Sequence, residues 1–125
     1  IIPSKKLVFT SFFGSFQCAR FDLALNWNAT ESGQRIALAV TKLPASVPVT
    51  DKNYSGAIIL NTGRPGESGI SEMLTAGAGP QTIASSHNGD DKPFDIISFD
   101  LRGITNTTPR LKCFPDAFAQ QAWLL

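Results

Sequence analysis

The chain has 125 residues, of which 42% are hydrophobic and 17% charged, with a formal net charge of +1 at pH 7. That is single-domain length and ordinary globular composition, and a charge so close to neutral supplies no pull toward a polyanion, which sets nucleic acid aside as a partner. No apolar run approaches the roughly 20 residues needed to cross a bilayer, and no basic-then-apolar signal segment opens the chain.

The opening IIPSKKLVF reads as a mature N-terminus exposed by processing. Residues 7–16 are rich in Phe and Ser, with Phe9, Phe12, Phe13 and Phe16 around Gly14, and suggest an irregular lead-in that packs aromatics onto a core. Alternation over 19–27 places Phe21, Leu23, Leu25 and Trp27 on one side, the pattern of a half-buried antiparallel strand. NATESGQ (28–34) is a polar turn, and RIALAVTKL (35–43) is the returning strand with Ile36, Leu38 and Val40 on one face. Together they predict a hairpin over 19–43, after which Pro44 and Pro48 punctuate a loop running to Gly56.

AIIL (57–60) is short and continuously apolar, as expected of a strand covered on both faces. It runs into a glycine- and proline-rich turn, TGRPGESG (62–69). Ile70, Met73, Leu74 and Ala78 then recur at helical spacing, with Ser68 or Ser71 as N-cap and with Gly77, Gly79 and Pro80 as the stop, so one helix is expected to close the 57–78 unit. SSHNGDDKP (85–93) reads as a solvated loop, and 94–100 as a second buried strand closed by Leu-Arg-Gly. Strand, Gly-rich turn, helix, strand is the order of a βαβ unit, whose functional loops sit at the C-terminal ends of parallel strands, so the fold class is α/β. The final segment, 115–125, starts as a helix should with Pro115 and Asp116 and carries Phe118, Ala119, Ala122 and Trp123 on one face. It stops on Trp-Leu-Leu without a capping signal, which implies a continuation or a partner.

Asn-x-Ser/Thr acceptors stand at Asn28, Asn53 and Asn106, all in expected loops, and three in so short a chain favour a secreted glycoprotein. Two cysteines, Cys18 and Cys113, an even count, favour pairing in an oxidising compartment, with two buried free thiols as the alternative.

The turn 62–69 brings backbone N–H groups to the end of a parallel strand beside a helix start, a shape suited to a phosphate or to the oxyanion of acyl transfer. Its spacing is G-x-x-G-x-x-G, neither of the two phosphate-loop spacings, and no lysine follows. A tight strand-to-helix connection without a ligand remains open. His87 is the only histidine and sits with Asp90 and Asp91 in the solvated loop, a grouping without metal-defining spacing. Asp90 with Asp91, and Asp95 with Asp100, read as turn and strand-end residues rather than acid/base couples. No metal and no cofactor is expected.

Asn61-Thr62-Gly63-Arg64-Pro65-Gly66-Glu67-Ser68-Gly69 resembles the NPGGPGGSG turn of secreted α/β-hydrolases similar to tripeptidyl aminopeptidases and, more distantly, prolyl aminopeptidases. FDIISFDLRG (94–103) resembles that family's FDIVGFDPRG strand, TPRLKCF (108–114) its STPR-x-x-CF continuation, and CARFDLALNW (18–27) its CA-x-L-x-VPLDY strand. The similarity runs in one order over about residues 17–115. It implies the N-terminal portion of an α/β-hydrolase fold, with backbone N–H groups of Gly63 and Arg64 holding a tetrahedral oxyanion. It also implies a Cys18–Cys113 disulfide and structural roles for Asp100, Arg102 and Gly103, the first two locking the loop beneath the active site and the glycine permitting its turn.

The chain departs from the family pattern in three places. Arg64 and Glu67 replace glycines and would line the substrate pocket or rigidify the turn; Leu101 replaces a proline; and Ile-Thr-Asn-Thr (104–107) replaces VGRS. The larger departure is that a member needs a nucleophilic serine in G-x-S-x-G, then an acid, then a histidine, and no serine here has that context. The expectation is therefore an oxyanion-bearing chain of a secreted serine hydrolase, peptidase or esterase. Its triad would come from a second polypeptide cut from the same precursor. The alternative is a non-catalytic secreted glycoprotein domain of hydrolase ancestry that binds or supports.

Overall fold

The computed structural model describes residues 1–61, 66–86 and 93–124. A five-stranded mixed sheet runs in the order β1-β2-β3-β5-β4, with β1 at Thr10–Ser11, β2 at Gln17–Ala24, β3 at Arg35–Leu43, β4 at Ala57–Leu60 and β5 at Asp95–Phe99. Helices α1 (Gly69–Ala76) and α2 (Ala78–Ser86) connect β4 to β5, and α3 (Ala117–Leu124) ends the described chain. None of the described helices is long and apolar enough to cross a membrane.

The hairpin forms because β2 and β3 pair over their full alternating stretches, Ala19 facing Val40, Phe21 facing Leu38 and Leu23 facing Ile36. β5 lies antiparallel to β3 and parallel to β4, with Ile96 between Leu43 and Ile58. Helix α1 covers that position: Met73, Leu43 and Ile96 form the buried centre, joined by Phe16, Ile58, Leu60 and Phe94. Gly69 permits the close approach, since a Cβ there would run into the Phe99 carbonyl and the Ser98 hydroxyl.

Four expectations need correction. The strand β2 ends at Ala24, so Trp27 leaves the sheet and is 64% exposed. Phe12 and Phe13 are exposed instead of packed, while Phe9 lies under the Lys42 ammonium, 4.6 Å from its ring centre. Gly77 ends α1 as its C-cap, as expected, but Gly79 and Pro80 do not stop the helical region: a second helix, α2, starts at Ala78 and takes Pro80 into its first turn, where the missing N–H costs no helical hydrogen bond. Finally, β4 is not covered on both faces. It is the sheet edge, Ile58 and Leu60 pack inward, and Ile59 is 66% exposed.

The C-terminal helix begins two residues later in structure than in sequence, with Asp116 Oδ1 accepting from Ala119 N–H at 2.8 Å. Phe118 and Trp123 are exposed, and the Trp123 ring tilts against Phe114 with centroids 5.7 Å apart.

Candidate functional site

Both parallel strands end at one place. β4 runs into Asn61, and the turn returns through Gly66 and Glu67 to Ser68, the N-cap of α1, whose Oγ accepts from Ser71 N–H at 3.1 Å. Gly66 has φ +85°, a left-handed conformation that favours glycine. The expected oxyanion donors Gly63 and Arg64 lie outside the described residues, as do His87, Asp90 and Asp91. Glu67 is exposed.

Beneath this turn lies Asp100, directly after β5 and 0% exposed. Its Oδ1 accepts from Ser68 Oγ at 2.7 Å and from Ile70 N–H at 3.1 Å; its Oδ2 accepts from Asn106 N–H at 2.9 Å and Asn106 Nδ2 at 2.8 Å. Four donors thus fill one carboxylate, and two of them belong to the first turn of α1, where the helix dipole favours negative charge. The same loop is held from behind by Thr107, whose hydroxyl donates to the Asp100 carbonyl at 2.7 Å and accepts from Ala39 N–H at 3.0 Å. Ser98 Oγ donates to the Leu60 carbonyl at 3.1 Å, tying the last residue of β4 to β5.

Arg102 Nη1 donates to the Leu25 carbonyl at 3.0 Å, which fastens the loop to the end of the hairpin. Gly103 has φ +81°, and a Cβ there would meet Leu111 Cβ at 2.9 Å, so both conformation and space require glycine. The peptide bond Thr108-Pro109 is cis. Cys18 is half-buried on β2 and Cys113 is exposed, and the two stand unbridged in this structure. The segment is tied back to the loop through Leu111 N–H on the Gly103 carbonyl at 2.9 Å, and Cys113 stands beyond that tie.

Of the acceptor asparagines, Asn28 and Asn53 are exposed on loops. Asn106 is also exposed, yet its backbone N–H and its side-chain Nδ2 both donate to Asp100. Sequence reasoning missed this role, and it missed Ser68 as a second partner of Asp100. The available signal was the spacing of a buried strand-end carboxylate against two short polar side chains, which no local pattern connects.

The opposite end of β5 holds a second buried acid. Asp95, 6% exposed, accepts from Ala45 N–H at 2.8 Å and Tyr54 Oη at 3.1 Å, and faces Lys42 Nζ at 3.7 Å. Partial burial, then the hydrogen bond to Asp95 and its negative charge, push the Tyr54 phenol above its ordinary range. From α2, Gln81 Nε2 donates to the carbonyls of Pro44 at 2.8 Å and Phe94 at 3.0 Å, closing the same end.

No family model matches the chain. It is 32% identical over 108 residues to carboxylesterase B of Mycobacterium tuberculosis, covering 86% of this chain and 19% of that protein. It is 31% identical over 104 residues to serine protease Hip1 of the same species, covering 83% of this chain and 18% of that protein. A Mycobacterium bovis protein also named serine protease Hip1 matches at the same 31%. The chain therefore spans about a fifth of the length of the curated relatives it matches. It is distantly related, over most of its own length, to proteins named as hydrolases.

Proposed function

We propose that this chain is the oxyanion-bearing N-terminal part of a secreted serine hydrolase of the α/β-hydrolase fold, acting by acyl transfer on a peptide N-terminus or a carboxylic ester. The observation that carries the reading is Asp100: a fully buried carboxylate that spends both oxygens on fixing the first turn of α1 against the loop after β5. Such a clamp holds the preceding turn at one distance from the ends of β4 and β5, the preorganisation that an oxyanion site requires. In this reading the backbone N–H groups of Gly63 and Arg64 receive the negative charge that develops on the scissile carbonyl oxygen. In the same reading Arg64 and Glu67, which replace the family's glycines, set preference between substrates.

The serine, acid and histidine come from a second polypeptide. The edge position of β4 and its exposed Ile59 support such a partner, since an apolar parallel edge strand is ordinarily covered. The relatives named as an esterase and a serine protease support the reaction class and leave both substrate types in play.

Mass spectrometry of the purified protein under denaturing conditions tests the assembly. A second stoichiometric polypeptide bearing G-x-S-x-G is the expected result. A lone chain of 13.4 kDa plus glycans would leave the non-catalytic secreted domain as the better reading.

A further inference from the structure

The Arg20 guanidinium is the one feature of β2 for which the hairpin supplies no electrostatic partner. Its Nη2 donates to the Asn106 carbonyl at 3.3 Å and to Thr108 Oγ1 at 2.7 Å, both neutral acceptors. Its Nε is buried with no hydrogen-bond partner among the described residues. Asp22, two positions along the same strand, is engaged by Arg35 at 2.6 Å, so Arg20 has no ion pair among the described residues. A half-buried guanidinium held only by neutral oxygens is costly, and its planar fork matches a carboxylate better than it matches single neutral oxygens.

That guanidinium lines a cavity of about 470 Å³ between β2, β3, α1 and the loop after β5. Arg110, Thr108, Asn106 and Ser71 add to its polar wall, and Ile70 and Leu74 of α1 with Val40 of β3 supply an apolar one. The volume lies in the range of small-ligand sites, and a mostly apolar wall with a few convergent polar groups is their usual composition. Among the described residues no acidic one lines the cavity, and both arginines make its field positive.

We infer that this cavity binds a free carboxylic acid with a small apolar body, the carboxylate on Arg20 with Arg110 beside it and the hydrocarbon against Ile70 and Leu74. The assignment stands independently of the serine-hydrolase reading, because it uses none of the residues of the turn 62–69.

Calorimetric titration of the full protein with hexanoate and with hexanamide, its neutral counterpart of similar shape, tests it. Hexanoate is expected to bind at least tenfold more tightly than hexanamide. Arg20→Gln is expected to weaken hexanoate at least tenfold and to leave hexanamide within threefold. Should Arg20→Gln fail to fold by circular dichroism, Ser71→Phe, at an exposed position on the cavity rim, replaces it and is expected to weaken both ligands at least tenfold. Equal affinity for acid and amide, unchanged hexanoate binding in the folded variant, or no hexanoate binding overturns the assignment. The last outcome includes an acidic side chain of the protein itself occupying Arg20.

Discussion

Strand β5 carries a buried aspartate at each end, and the two are satisfied in different ways. Asp95, at the N-terminal end, faces a cation, Lys42, and takes its remaining hydrogen bonds from the loop leaving β3 and from Tyr54. Asp100, at the C-terminal end, has no cation within ion-pair distance among the described residues and is held by four neutral donors. A charge pair tolerates small displacements because the Coulomb term falls slowly with distance; a carboxylate filled by four directional donors does not. The N-terminal end of β5 is thus a fastener for loops, and the C-terminal end is a jig that sets the position of a turn. Parallel sheets place their chemistry at the second kind of end.

The sharpest way to break the contrast is to neutralise each acid in turn. Asp100→Asn puts an N–H against donors at one side of the site and should cost about 3 kcal/mol of stability, within the range for buried groups left unsatisfied. In the assembled protein it should also lower the turnover of ester or amide substrates at least a hundredfold. Asp95→Asn leaves Lys42 half-buried and unpaired and should cost roughly 2 kcal/mol, while the folded fraction keeps its turnover within twofold. Denaturant unfolding and steady-state kinetics on the same preparations separate the two.

Gly69→Ala should fall next in size. Its Cβ would meet backbone at Phe99, which cannot move without shifting β5, so a loss of about 2 kcal/mol with reduced turnover is expected. A variant as stable as the parent would show that α1 is not seated on β5 as described.

Smaller effects sharpen the same comparison. Because Asn106 commits its side-chain amide to Asp100, glycopeptide mapping should find glycan on Asn28 and Asn53 and none on Asn106. Occupancy at Asn106 would mean that the clamp is open when the glycan is added.

At the other end, Tyr54 is the only tyrosine, so its ionisation is read directly from absorbance. The folded phenol holds its proton more tightly than the unfolded one, so its contribution to stability is complete below pH about 10 and is lost as pH rises through the folded value. A titration midpoint above that of free tyrosine, lowered in Asp95→Asn, is expected.

Much of the fold was legible because it rests on local pattern. The hairpin followed from alternation, the Ser68 cap from its place before an apolar helical face, and β5 from five consecutive residues bounded by a loop and Leu-Arg-Gly. What local pattern misjudged was context. Gly77 does stop α1, yet Pro80, which looks like part of the same stop, falls in the first turn of α2, and AIIL looks like a doubly covered strand although it forms the edge of this sheet. The site was less legible still. Asp100 could be placed at a strand end, but its partners Ser68 and Asn106 lie 32 residues before it and 6 after it, and Asn106 reads in sequence only as a glycan acceptor. The orphaned N–H of Arg20 has no sequence signature at all, since nothing around residue 20 signals where residues 106–110 return.

The most direct test of the central claim is the rate of fluorophosphonate labelling of the whole protein, with the labelled peptide identified by mass spectrometry. The expected result is a label on a G-x-S-x-G serine in a polypeptide that copurifies with this chain, slowed at least a hundredfold by Asp100→Asn and within twofold of the parent in Asp95→Asn. A chain that takes no label and copurifies with no labelled polypeptide, or equal labelling rates in the two variants, would contradict it.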